Sequence, residues 1–244
     1  MKRLAGLKTV VTGAGRGIGR AIALAYAEEG AAVAVTARTA EALDEVVEAL
    51  AARGCQALRL VWDIAAVAEA EARLAEAKHR LGGLDVLVNN AGVIRGSAEH
   101  PADGAEALWD YTMEVNLKGL YFVCQGAARI MQAQKCGVII NLASDAGFRG
   151  APNAYCISKW GVVGFTRGLA QQLAPHGVRV CGIAPGPVAT EMMGWQPGKS
   201  MECASLPLKR YTLPEEVARV AVFLASSDAA AVYGESIVLN SANP

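Results

Sequence analysis

The sequence predicts an α/β protein: a single doubly wound parallel sheet of seven strands with helices on both faces. Three observations carry that prediction. Short β-branched runs alternate with longer Ala-, Leu- and Glu-rich segments along all 244 residues. The strand-like runs, such as "TVVT", "AVAVTA" and "GVIINL", are apolar at nearly every position instead of every second one, which marks strands buried on both faces. Gly and Pro punctuate the alternation, and no linker interrupts it. Right-handed strand–helix–strand crossovers then leave the doubly wound topology as the natural solution. Residues 1–244 read as one domain, at a size such folds commonly reach.

Each element has a local reason. Residues 7–12 form a short buried strand, and residues 17–29 a helix that Gly30 ends. Residues 32–37 are the second strand. Residues 40–53 are a helix with Gly54 where a C-terminal glycine belongs. The third strand spans 57–61, and a helix over 65–81 runs into Gly82-Gly83. Residues 85–88 are the fourth strand, and 105–134 one long helical region with a bend expected near Gly119. The fifth strand is 137–142, and a helix over 153–174 is stopped by Pro175. The sixth strand is 178–183. Residues 190–208 read as an irregular covering loop, 214–226 as a helix with Pro at its start, and 236–239 as the seventh strand.

The totals exclude several functions. The 23 basic and 23 acidic residues balance, and no Lys/Arg run appears, so nucleic acid and membrane surfaces are not expected partners. The three histidines, His79, His100 and His176, lack metal-ligand spacing, and none of the six cysteines forms a C-x-x-C pair; no metal is expected, and the thiols read as buried, reduced core residues. The short basic N-terminus reads as neither signal peptide nor membrane span, which makes the cytoplasm the expected location.

Directly after the first strand comes Thr12-Gly13-Ala14-Gly15-Arg16-Gly17-Ile18-Gly19. Glycines there permit a tight turn, a close backbone approach to a ligand and close packing of the following helix, whose free N–H groups suit a pyrophosphate. The pattern alone is weak; its position, between first strand and first helix, makes it a dinucleotide site in a Rossmann fold. NAD sites usually end the second strand with an acid that holds the ribose 2′-hydroxyl. Here that strand ends Thr36-Ala37-Arg38. Arg38 and Arg16 could pair a 2′-phosphate, so NADP is favoured over NAD, although either arginine alone could equally be a solvated surface residue.

Tyr155 and Lys159, in "YCISK", stand four apart and share one helix face. A nearby ammonium favours the phenolate, whose reference pKa is about 10, and so suits the tyrosine to proton transfer. The glycine loop, the run "NNAG" at 89–92 and "YCISK", in this order, resemble the short-chain dehydrogenase/reductase family, in its main single-domain branch, over nearly the whole chain. The resemblance implies that Tyr155 is the acid/base, that Lys159 lowers its pKa and holds the nicotinamide ribose, that Ser144 steadies the substrate oxygen, and that Asn116 holds a water in a proton relay. It places Asp63 at the adenine, Asn89 and Gly92 in the cofactor cleft, and Pro185, Gly186, Val188 and Thr190 along the nicotinamide. Asp63 could instead cap the next helix, Ser144 merely finish a strand, and Asn116 be a surface polar group.

Two departures from the family pattern stand out. Ser144 and Tyr155 are closer in sequence than is usual, and the chain end reads Val238-Leu239-Asn240-Ser241 where many members have Asp-Gly-Gly; the second is expected to affect an oligomer contact and not the chemistry. The implied reaction is hydride transfer between a nicotinamide and a small-molecule carbonyl or secondary alcohol, with a 3-oxoacyl thioester or similar keto compound as leading substrate. Lys135 and His176 are read as a weak basic patch near the site. A small ketone, sugar or polyol dehydrogenase is the alternative; a non-catalytic dinucleotide sensor is a third reading, which the complete residue set argues against. Met192, Met193, Trp195 and Met201 in the loop suit a partly apolar substrate or a packing contact equally. The resemblance implies a homotetramer or homodimer.

Overall fold

A computed structural model describes residues 2–94, 104–150, 152–196 and 198–241; His100 lies outside them. One seven-stranded sheet runs through the molecule in the order β3-β2-β1-β4-β5-β6-β7, every neighbouring pair parallel. The strands are β1 (Lys8–Val11), β2 (Ala32–Ala37), β3 (Ala57–Val61), β4 (Val86–Asn89), β5 (Gly137–Leu142), β6 (Val178–Pro185) and β7 (Ser236–Leu239). The helices are α1 (Gly17–Glu28), α2 (Glu41–Ala51), α3 (Ala70–Leu81), α4 (Ala105–Met113), α5 (Leu120–Gln134), α6 (Ala154–Leu173) and α7 (Pro214–Ala225).

Two apolar layers cover the sheet. On one face α3, α5 and α6 bury Leu74, Val123, Met131, Val162 and Leu173. On the other α1, α2 and α7 bury Ile22, Tyr26, Leu43, Leu50 and Leu224. The Tyr26 hydroxyl donates to the Ala221 carbonyl at 3.0 Å and so satisfies its one polar atom inside the α1–α7 contact. Buried Arg179 of β6 donates to the Leu224 and Ser226 carbonyls at 2.5 and 2.9 Å, closing the C-terminal end of α7.

Three expectations change. The region 105–134 is two α-helices joined by a turn of π-helix, Glu114–Gly119. It falls where the bend near Gly119 was expected: a Cβ on Gly119 would stand 2.7 Å from the Ile64 carbonyl oxygen, so the chain passes tightly over the segment after β3. Of the six free cysteines only Cys124, Cys156 and Cys181 are buried; Cys136 is exposed and Cys55 and Cys203 half-buried. Finally, Lys135 ends α5 and His176 lies in the turn after α6. Helices run antiparallel to the strands they connect, so both residues sit at the amino ends of β5 and β6, the end of the sheet opposite the site described next. Among the described residues no helix is long and apolar enough to cross a membrane, and no cluster of potential metal ligands occurs.

Candidate active site

From β1 the chain winds outward through β2 and β3, then returns to the other side of β1 with β4. The loops after β1 and β4 therefore part, and a crevice opens at the carboxyl ends of the strands, as ligand sites in such sheets do. It is a cleft of about 590 Å³. Gly13, Gly15, Arg16, Gly17 and Ile18 line its floor; Arg38 and Asp63 lie toward one end, and Gly92, Tyr155, Lys159, Pro185 and Thr190 toward the other.

The glycine loop is fixed by close packing. Gly13 has φ +62°, and a Cβ there would lie 2.7 Å from Ala91 Cα, so a larger residue would push the loops after β1 and β4 apart. Gly19 does not line the cleft; a Cβ there would collide with the Asn90 side chain, whose amide donates to the Thr12 and Gly13 carbonyls at 3.0 and 2.9 Å. Helix α1 opens without a capping side chain and without an acid in its first turn, which leaves its N–H groups and positive end to an anion.

At the opposite end, the Thr36 hydroxyl and the Trp62 indole N–H are buried in the cleft wall without a hydrogen-bond partner among the described residues, although buried polar atoms are normally paired. Orphaned polar groups at one end, a free helix N-terminus at the middle and a proton-bearing pair at the other match the parts of a nicotinamide dinucleotide. Arg38 donates to the Tyr111 hydroxyl at 3.3 Å. Arg16 is largely exposed and lies 3.8 Å from Glu191 at the start of the covering segment. Asp63 does two things: it lines the cleft, and its Oδ1 takes the Ala65 N–H at 2.9 Å, capping the turn that follows.

At the inner end, Lys159 Nζ is buried and donates to the Leu142 carbonyl at 2.9 Å, 5.8 Å from the centre of the Tyr155 ring. Burial brings its pKa down to about 8. Asn116, presented by the π-turn, is clamped: its Oδ1 accepts from Val93 N at 2.7 Å, and its Nδ2 donates to Val93 O at 2.8 Å and to Ser158 Oγ at 3.2 Å. π-Turns within helices often mark functional sites, and this one holds Asn116 against the segment after β4. Ser144, two residues beyond β5, caps the turn Asp145–Gly147 through the Ala146 N–H at 3.2 Å, and donates to Asp145 Oδ1 at 3.0 Å. The short connection from Ser144 to Tyr155 is accommodated by this tight turn, which packs against α6 at Gly147.

Several sequence expectations need correction. Asn89 is not in the cleft; its amide is buried between strands, donating to Asn141 Oδ1 and Cys124 Sγ at 3.0 Å each, and Asn90 takes the place beside the glycine loop. Asn89 is the last residue of β4, and the pleat turns it inward. Gly186 and Val188 also lie behind the cleft wall. Gly186 bonds to Leu239, and Val188 is buried and pairs with Thr212. The Tyr155 phenol is pushed above its ordinary value, chiefly by burial. Lys159 is itself desolvated and aims its amine at a backbone carbonyl, so in the polypeptide alone it does not pull the phenol down. The chain end also reaches the site: Ser241 donates to Asp145 Oδ2 at 3.2 Å, and Asn240, at φ +47°, donates to Arg210 O and Thr212 Oγ1 and accepts from Leu208 N. Neither Asp145 nor Ser241 carries a sequence signal; only the fold brings them together.

A sheet that opens at its switch point onto a glycine loop, with a Tyr–Lys pair at the far end, defines a nicotinamide-dinucleotide oxidoreductase of the α/β class. The family profile described as "short chain dehydrogenase" matches residues 8–198. The chain is 38% identical over 236 residues to the 3-oxoacyl-(acyl-carrier-protein) reductase FabG of Staphylococcus aureus, covering 95% of each. It is 36% identical over 244 residues to the D-threitol dehydrogenase of Mycolicibacterium smegmatis, covering 98% of this chain and 93% of that one. A solved 7α-hydroxysteroid dehydrogenase, in complex with NADH and 7-oxo glycochenodeoxycholic acid, superposes with a TM-score of 0.88 at 32% identity, covering 98% of this chain and 94% of that one. The protein belongs to the short-chain dehydrogenase/reductase family of oxidoreductases.

Proposed function

We propose that the protein is an NADP(H)-preferring reductase of a 3-oxoacyl or similar keto compound, with Tyr155 as proton donor. The observation that carries this is that Tyr155 and Lys159 line the inner end of the cleft, with Ser144 beside the phenol and Asn116 beside Gly92, while at the outer end β2 runs out into Arg38 and not into an acid. The glycine loop and α1 would hold the pyrophosphate, Arg38 and Arg16 the 2′-phosphate, Asp63 the adenine, and Lys159 the nicotinamide ribose. Bound there, the cofactor supplies or takes a hydride.

The chain's own work is proton handling and orientation. In reduction the carbonyl carbon gains a hydride while the Tyr155 O–H bond breaks and the proton joins the substrate oxygen; the C=O becomes CH–OH, and the phenol regains a proton from solvent. A phenol pushed upward by burial holds its proton at neutral pH and is suited to this direction. Pro185 and Thr190 exclude water along the cofactor wall, and the segment from Glu191 covers the opening with exposed Met192 and Met193, flexible apolar side chains fitted to an acyl chain.

The keto-thioester substrate draws support from likeness to the Staphylococcus aureus reductase; the carrier-protein part does not, because Lys135 and His176 lie at the far end of the sheet. The D-threitol dehydrogenase relative favours a second reading, a polyol or small-ketone dehydrogenase. A homotetramer or homodimer in the cytoplasm completes the proposal: α5 and α6 expose Tyr121, Phe122, Ile157 and Trp160, and a groove of about 610 Å³ there is lined by Leu117, Tyr121 and Phe165. The test is an absorbance assay at the reduced-nicotinamide band with NADPH or NADH and 3-oxoacyl thioesters, ketones and ketoses, with Tyr155→Phe as control. NADPH-dependent turnover of the thioester, lost in the variant, is expected; cofactor binding without turnover of any substrate would leave a sensor.

A further inference from the structure

Behind Ser144 two distant parts of the chain meet on one carboxylate. Asp145 Oδ1 accepts the Ser144 hydroxyl at 3.0 Å, and Asp145 Oδ2 accepts the Ser241 hydroxyl at 3.2 Å. Asp145 is 6% exposed and Ser241 equally so. The Arg149 guanidinium, half in solvent, stands 3.9 Å from Oδ1. A buried carboxylate is costly unless its oxygens are hydrogen-bonded, and here one of those bonds uses the hydroxyl that faces the reacting tyrosine.

We propose that Asp145, locked by Ser241, is a positioning residue of the reaction: it holds the Ser144 hydroxyl in one orientation and sets a negative charge beside Tyr155, so that the phenol is kept as a proton donor. The inference deepens the reductase reading above and rests on it. A like charge beside an acid disfavours its ionised form. The titratable and charged groups around the phenol are Asp145 and Arg149 from the turn after β5, and Cys156 and Lys159 from α6. The end of β6 and the chain end present the Pro185 carbonyl and the Ser241 hydroxyl, which carry no charge. Burial is the largest influence holding the proton on; the Ser144 hydroxyl opposes it, the Asp145 and Cys156 charges reinforce it, and Arg149 opposes it.

The test reads the phenol directly. Absorbance of the phenolate is followed against pH in the cofactor-free protein, with Tyr155→Phe as the blank, and repeated in Asp145→Asn. The variant is expected to ionise Tyr155 at a pH lower by about one unit. A second neutral variant, Asp145→Ser, is expected to do the same and serves if the first does not unfold cooperatively. In turnover, the alkaline limb of carbonyl reduction, which needs the phenol, and the acid limb of alcohol oxidation, which needs the phenolate, should both move to lower pH by that amount. A merely structural role would lower rates without moving either limb. Titration curves of both variants that superimpose on the parent would overturn the proposal. If no substrate turns over while the absorbance shift is seen, the reductase reading fails and only the effect of Asp145 on the phenol stands.

Discussion

Lys159 is 5% exposed, and its amine donates to the Leu142 carbonyl. Its folded pKa, about 8, lies below the ordinary 10.5 because burial disfavours the charge. Below pH 8 the folded protein therefore bears the full cost of a buried ammonium. Between about 8 and 10.5 the unfolded chain binds a proton that the folded one releases, so stability rises with pH. Lys159→Met is expected to stabilise the cofactor-free protein at pH 7 by about 1–2 kcal/mol, an advantage that fades toward pH 10 in urea titrations, while activity is lost. Tyr155→Phe is expected to lower kcat by roughly 10²–10⁴-fold, the range of general acid catalysis, with cofactor affinity measured by fluorescence little changed. The Tyr–Lys pair was legible because helical spacing fixes which residues share a face. The direction of the phenol's shift was not, because it depends on burial and on Asp145 and Arg149, whose approach no spacing encodes.

Between residues and fold, the irregular segment 190–208 is tied down at its carboxyl end. Arg210 grips Glu216 with two bonds of 2.7 and 2.8 Å, and Glu216 also accepts the Leu213 N–H at 2.8 Å, capping α7. The Arg210 guanidinium, with that backbone bond, holds the Glu216 carboxyl down at about 2. Its stabilising contribution is thus present above the ordinary 4.5 and lost as pH falls toward 2. Glu216→Gln should cost about 1 kcal/mol at neutral pH, and the two proteins should converge in stability as acid is added. Asn240 braces the same segment by three hydrogen bonds while accepting a left-handed backbone. Asn240→Gly keeps that backbone and removes the bonds, so it is expected to raise KM severalfold with kcat less affected. Most elements were legible from β-branched runs and Gly/Pro stops. The π-turn at Glu114–Gly119 was legible only as a bend: Gly119 there passes tightly over the Ile64 carbonyl, far away in sequence.

At the scale of the molecule, cofactor choice and assembly follow from which ends of the elements meet. If Arg38 holds a 2′-phosphate, Arg38→Ala should weaken NADPH binding by about ten- to a hundredfold, the worth of a hydrogen bond to a charged group, and leave NADH binding unchanged in fluorescence titrations. If α5 and α6 carry the subunit contact, Tyr121→Glu should shift the protein to smaller species in analytical ultracentrifugation. The sequence by itself determined the strand–helix alternation, the glycine loop after the first strand, the missing acid at Ala37 and the shared face of Tyr155 and Lys159, because these depend on periodicity and near-neighbour spacing. Only the tertiary structure decided that Asn89 faces the sheet, that Lys135 and His176 lie at the far end from the cleft, and that Ser241 reaches Asp145 across 96 positions. Those facts depend on strand order, pleat and helix direction, which bring distant side chains together or hold them apart whatever their order along the chain.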